Sequence, residues 1–322
     1  MRKAILLYNP SSGARRDRRE SDVESAATVL RSAGVEITKL STEPHGEAAD
    51  QAKAAIANGY DTVVACGGDG TVHDILQGVA GTHVPLGIIP LGTANALAHD
   101  LKLPFDAGKA AHVLLHARPR RVTLGQVTYR DFAGNLGMRY FIVAAGIGVD
   151  AHLFYKLNAG VKKSLGMLSY YAKATHLWLT DPLTRFAADF LPTGHSDSHR
   201  SAVSELLAVR INNFGGVLQE LAPGASLERN DLRLVLFRTR SRAAYLLYIL
   251  RGLLRERFPV PGIDLVHAEQ VACEYLPATA PTRKNGHPPS NPSIYVEVDG
   301  ELVGTLPAKI STATEAVSLL AP

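Results

Sequence analysis

The run Gly67-Gly68-Asp69-Gly70-Thr71 holds the chain's clearest phosphate-handling chemistry. Three glycines let a backbone approach anionic oxygens closely and adopt positive φ. The run lies between an apolar strand pattern, Thr62 to Cys66, and a helical one, Thr71 to Val79. The free N–H groups and dipole of that helix start would favour an anion. Asp69 is the unusual member. A carboxylate beside a phosphate repels it unless a divalent cation lies between them or the group acts on a proton, so Asp69 points to Mg²⁺ or to acid–base chemistry. For this string alone, a ligand-free Gly/Asp turn is the plain alternative.

A second loop, Pro90-Leu91-Gly92-Thr93-Ala94-Asn95, repeats the arrangement one strand–helix unit later, and a third, Asn9-Pro10-Ser11-Ser12-Gly13, follows the first apolar strand. Alone, the second reads as an ordinary helix start capped by Thr93. Three such loops on successive strand ends point instead to a nucleotide cleft. Near the C-terminus, Asp299-Gly300-Glu301 follows the strand pattern Tyr295 to Val298 and offers a carboxylate base for a hydroxyl nucleophile. Asp-Gly is also a favoured hairpin dipeptide, and the sequence by itself favours that reading.

Other signals fall away. There is no Walker A lysine pattern. Gly146-Ile147-Gly148-Val149-Asp150-Ala151 fits the dinucleotide fingerprint, but no acid to bind a ribose occurs between Ala151 and Thr180. The histidines show no zinc-ligand spacing.

The elements that must position these residues alternate at first. Strand patterns at Ala4–Tyr8, Val35–Leu40, Thr62–Cys66 and Leu86–Ile89 alternate with helical ones at Val23–Ala33, Glu47–Ala57, Thr71–Val79 and Ala94–Leu101. That alternation predicts a parallel sheet with helices on both faces. After Arg118-Pro119-Arg120-Arg121 strands dominate, at Val122–Tyr129, Arg139–Ala144, Glu205–Ile211, Leu232–Phe237, Gln270–Tyr275 and Ser293–Val298. Two helical stretches interrupt them, Leu165–Leu179 and Arg242–Arg257, and loops are expected at Thr193–Arg200 and Pro277–Asn291. The first of these stretches sits among Lys156, Lys162, Lys163 and Lys173, and the second carries Tyr245 to Leu250 between arginines. Each is either a core stripe with solvated charges or a lipid-facing surface.

At 322 residues the chain is long enough for two domains. Its two cysteines, Cys66 and Cys273, exclude a disulfide framework and suit a reducing cytosol. The net charge of +4 permits an anionic partner without selecting one. No run of about 18 apolar residues occurs, so a lipid substrate would have to be met at a membrane surface.

Taken together, these strings resemble the diacylglycerol kinase catalytic-domain family, which includes sphingosine and ceramide kinases and bacterial lipid kinases. The resemblance rests on residues 9–13, 67–75, 90–101, 145–151 and 296–304, in the family's order. It implies a phosphofructokinase-like α/β domain over 1–121, rejoined by about 306–322, and a β-rich, sandwich-like lipid-substrate domain over 122–305. ATP and Mg²⁺ are the implied cofactors. The nucleotide-binding set is then Asn9, Ser12, Gly13, Thr42, Gly67, Gly68, Asp69, Gly70, Thr71, Gly92, Thr93 and Asn95. Glu301 takes the family's base position, with Asp299 and Asp69 as the competing acids and Asp150 as the contact for the lipid's polar head. Asp69 would also meet Mg²⁺ through the phosphates, and Asp231 would belong to a structural Mg²⁺ site.

Three departures bear on this. Ala96 replaces a frequent Asp, Asp74 replaces a Glu, and Arg229 stands where that structural site has a metal-binding Asp. The expected activity is γ-phosphoryl transfer from ATP to a lipid hydroxyl in lipid metabolism, in the cytoplasm at the inner membrane surface. No nucleic-acid partner is implied, and a homodimer is compatible with the sequence. An NAD kinase-like enzyme and an inactive nucleotide- or membrane-binding homologue are the alternatives.

Overall fold

Lys3–Tyr8 forms β1 because its Ala-Ile-Leu-Leu core can be buried from both sides, as a central parallel strand requires. The computed structural model describes residues 1–10, 18–42, 47–149, 183–216, 220–277 and 293–322. Ser12, Gly13, Asp150, the predicted helix Leu165–Leu179 and residues 278–291 of the predicted loop therefore lie outside the described residues, as do the four lysines noted above.

The chain continues through α1 (Arg19–Ser32), β2 (Glu36–Ser41), α2 (Glu47–Ala57), β3 (Thr62–Gly67), α3 (Asp69–Val79), β4 (Leu86–Pro90), α4 (Ala96–Asp100) and α5 (Ala107–His116). β2, β1, β3 and β4 pair in parallel in that spatial order. One apolar cluster joins β1, β3 and β4 to α2 and α3, and a second joins them to α1 and α5. The sheet is thus covered on both faces. α5 was not expected from the sequence; it begins at Asp106, whose carboxylate accepts the Lys109 N–H at 2.9 Å.

From β5 (Arg118–Arg130) onward the strands pair antiparallel with one another, as the richness in strand patterns implies. β6 (Leu136–Phe141), β7 (Ala144–Gly148), β8 (Phe186–Pro192), β9 (His199–Val203), β10 (Glu205–Val209), β11 (Leu232–Phe237), α6 (Arg242–Leu254), β12 (Ile263–Tyr275), β13 (Tyr295–Val298) and β14 (Glu301–Ala321) follow. The fold is a parallel α/β half followed by a strand-rich half. The expected loop over Thr193–Arg200 shrinks to the β8–β9 turn, with His199 and Arg200 inside β9. Gly146 and Gly148 lie on β7, antiparallel to β10 and β13, so they do not form the strand-to-helix turn of a dinucleotide fold.

β14 does most to bring distant parts together. It leaves a hairpin with β13, pairs with β12 and β5, and ends parallel to β4 at Leu319↔Leu86. One strand therefore links the end carrying Glu301 to the sheet carrying the glycine loops.

Candidate active site

In a sheet of this kind ligands bind at the carboxyl ends of the strands. Asn9, Thr42, the 67–71 run and the 92–95 run follow β1, β2, β3 and β4, so all four stand on one edge. Thr42 is tied there by its N–H, which donates to the Tyr8 carbonyl at 2.8 Å.

The two glycine loops touch through backbone. A Cβ on Gly92 would lie 2.3 Å from the Gly68 Cα, closer than any side chain can approach. Asn95, at φ 50°, locks the second loop by accepting the Gly92 N–H at 2.8 Å and donating to the Gly92 carbonyl at 3.0 Å. The Gly92 N–H is therefore taken and is not open to phosphate, which corrects the role implied for Gly92 in the nucleotide-binding set. Thr93 is exposed and does not cap α4, whose N-cap is Asn95. The open donors belong to α3, which starts at Asp69 rather than Thr71 and leaves its first-turn N–H groups without partners inside the helix.

Asp69 faces the second loop. Its Oδ1 accepts the Leu97 N–H at 3.4 Å, so a carboxylate from one loop steadies the helix that follows the other. Burial pushes its carboxyl above the ordinary range, and the charge of Asp299 adds to the rise against hydrogen bonds from the Ala96, Leu97 and Asn95 N–H groups.

Asp299 and Gly300 both have positive φ and turn the chain between β13 and β14. The hairpin reading and the reading of this segment as a source of carboxylates thus describe the same residues. The two acids have different surroundings. Asp299 is buried and its oxygens are engaged: Oδ1 accepts the Val143 and Ala144 N–H groups at 2.9 and 3.0 Å, and Oδ2 accepts Ile142 N–H at 3.1 Å. His73 on α3 completes the set, its Nδ1 lying 3.2 Å from Asp299 Oδ2. Glu301 is exposed and makes no ion pair or hydrogen bond among the described residues. Its Oε1 reaches over the phosphate loop to within 3.2 Å of where a Cβ on Gly70 would stand. It also lines a cavity of about 450 Å³ with His73, Asp74, Tyr129, Phe132 and Arg139. Burial raises the Asp74 carboxyl too, against the charges of His73 and Arg139.

Asp231 is elsewhere. It precedes β11, three strands from β13 in the sheet order, and Arg229 grips both its oxygens at 2.6 Å. Thr193 and His267 add contacts at 3.1 and 3.2 Å. A guanidinium of the chain supplies the positive charge there, and the residues do not fit a structural Mg²⁺. Among the described residues no three His, Cys, Asp or Glu side chains group as a metal site. A divalent cation at Asp69 would therefore depend on phosphate oxygens for most of its ligands.

His73 is the site residue that sequence reasoning missed. A polar side chain on the apolar side of α3, between Val72 and Ile75, was the available signal.

Residues 3–127 match the diacylglycerol kinase catalytic domain. Over that stretch the chain is similar to the diacylglycerol kinase catalytic-domain family. Diacylglycerol kinases of Staphylococcus aureus (strain bovine RF122 / ET3-1) and Bacillus subtilis (strain 168) are each 26% identical to it, over all of this chain and 93% and 97% of theirs. The fold is also that of a diacylglycerol kinase from Bacillus anthracis str. Sterne, with a TM-score of 0.68 at 18% identity over 99% of this chain and 97% of that one. Yeast NADH kinase, solved with NADH, is more distant, with a TM-score of 0.55 at 13% identity over 100% and 84%. The similarity thus runs to kinases of two kinds and is greater toward the diacylglycerol kinases.

Proposed function

We propose that the chain transfers the γ-phosphoryl group of ATP to the hydroxyl of a lipid such as diacylglycerol, ceramide or a sphingoid base. The observation that carries this reading is the Glu301 carboxylate, unpartnered among the described residues and poised over the glycine loop. The first-turn N–H groups of α3 would hold phosphate, and Glu301 would accept the proton of the attacking hydroxyl. Asp299, saturated with hydrogen bonds, positions Glu301 rather than acting as the base. A divalent cation between Asp69 and the phosphates would supply charge neutralisation. Phosphoryl transfer has a loose transition state, so positioning and neutralisation carry most of the catalysis.

The whole-length relatives named diacylglycerol kinase support a lipid acceptor over NAD. Incubating the chain with γ-labelled ATP and either a lipid extract or NAD separates the two. Label is expected in the organic phase, in a lipid identifiable by mass spectrometry. Label in NADP with none in lipid would overturn the reading.

The loop contact gives a sharper test of the nucleotide side. Gly92→Ala must part the two loops to fit its methyl group. With misplacement of about 1 Å able to cost on the order of 100-fold in rate, kcat/KM for ATP should fall by about that factor. Steady-state kinetics with ATP varied, beside a thermal melt showing a folded protein, checks it.

A further inference from the structure

Helix α6 is anchored on one side and, among the described residues, uncovered on the other. Its inner side packs Tyr245 and Tyr248 on Phe237, within a cluster formed with β10 and β11. The Tyr245 hydroxyl lies 2.8 Å from the Ser204 hydroxyl, and the Tyr248 hydroxyl donates to the Leu221 carbonyl at 2.6 Å. Arg251 lies over the Tyr248 ring at 4.2 Å. The helix is therefore well fixed, and its outer side is a settled surface.

That outer side is apolar apart from Arg242 at its first residue. Ala243, Leu246, Leu247, Ile249, Leu250, Leu253 and Leu254 are exposed, with Leu246 at 54% and Leu254 at 59%. At about 100° per residue they span an arc of about 160°, with Arg242 inside it only at the N-terminal end, along a helix of about 20 Å. Water is a poor solvent for such a face, so something covers it in the working protein.

The charges say what. From Arg238 to Arg257 the chain carries six arginines and one acid, Glu256. Arg238 and Arg257 pair with Asp264 and Glu220. Arg240 and Arg255, one beyond each end of the helix, are exposed and without partners among the described residues. A two-fold pairing of this helix with its own copy would set arginine ends against arginine ends, with no acid on the helix to offset them. An anionic bilayer meets both halves of the pattern. Its acyl boundary takes the leucines, and its headgroups take the arginines.

We infer that the outer face of α6 is the surface by which the chain docks on an anionic membrane, lying flat in the interface. The inference rests on the lipid-kinase reading and identifies where that enzyme would meet its substrate phase. Val149, the last described residue before the headgroup candidate Asp150, packs against the same cluster that α6 covers.

Co-sedimentation with phosphatidylcholine vesicles, with and without phosphatidylglycerol, tests the docking without nucleotide. The full chain should pellet with the anionic vesicles. Arg240→Ser/Arg255→Ser should lower that partition roughly tenfold or more, at about 1 kcal/mol per arginine. Leu246→Glu/Leu250→Glu/Leu253→Glu should reduce it to the level seen with neutral vesicles. These side chains are exposed, so unchanged melting temperatures are expected. Variants that bind like the parent overturn the inference, as does a parent that ignores anionic vesicles. A dimer that the triple variant turns into a monomer, with vesicle binding unchanged, overturns it in favour of self-association. The lipid-kinase reading fails separately: vesicle binding with no lipid phosphorylated leaves the docking face standing. Lipid phosphorylated in detergent micelles by variants that still bind vesicles does the reverse.

Discussion

Asp69→Asn should cut turnover by a factor on the order of 100 or more while leaving the protein as stable at neutral pH, or more so. The loss follows from the site. A neutral amide beside the phosphates gives up the charge that would hold a cation there, and electrostatic groups of this kind are worth about two to three orders of magnitude each. The stability follows from the direction of the carboxyl's shift. Burial raises Asp69 above its value in the unfolded chain, roughly 3.9, so the folded state binds the proton more tightly. The stability this contributes is complete below the unfolded value and is lost as pH rises through the raised folded value. At neutral pH the ionised group is therefore a net burden, and asparagine removes it while its carbonyl can still accept the Leu97 N–H. Melting curves across pH check the sign. The variant's advantage should shrink toward zero below the unfolded carboxylate value. A variant that melts well below the parent at neutral pH would show that Asp69 is structural first. The parent's kcat/KM should also decline on the acid side at a pH above the ordinary carboxylate range.

How far the sequence reveals this site depends on how local each cause is. The glycine loops were legible because close approach and helix N-termini are properties of five or six consecutive residues, and Glu47–Ala57 was legible because an alanine-rich run has little choice but a helix. Asp299-Gly300 was legible as a hairpin for the same reason. β14 was not, although it is the longest strand among the described residues. Gly304 and Pro307 break its pattern, and it shifts register twice against β5, so no regular alternation survives. Its partners lie far away in sequence, as does that of His73, which meets Asp299 across 226 positions. The distinction between the two acids of the Asp299–Glu301 segment is of this nonlocal kind. Nothing in residues 295–301 says that one carboxylate turns inward to Ile142, Val143 and Ala144 while the other is left free. Asn95 shows the opposite failure. Its loop was read correctly as part of the cleft, but its side chain turned out to take the Gly92 N–H that phosphate had been expected to use.

That inward–outward difference is what a pair of conservative substitutions should expose. Glu301→Gln is expected to lower kcat by about 10²–10⁴-fold, the usual range for a general base, with little change in melting temperature because the side chain is exposed and makes no hydrogen bond among the described residues. Asp299→Asn should behave differently. An amide can turn only one oxygen to the site, so one of the N–H groups from Ile142, Val143 and Ala144 would face an amide N–H instead. A buried donor left unsatisfied costs about 1–3 kcal/mol, so this variant should melt measurably lower, and its kinetic loss should come with that destabilisation. His73→Leu should move stability in the same direction, since it removes the remaining partner of Asp299 Oδ2. Paired melts and single-turnover rates decide between the roles. If Asp299→Asn is inactive at full stability while Glu301→Gln turns over normally, the base is Asp299 and the assignment given to Glu301 fails. If the pattern runs as expected, the hairpin has two separable duties. Asp299 fastens β7 and α3 beneath the turn, and that fastening holds Glu301 over Gly70, where a hydroxyl and a phosphate can meet.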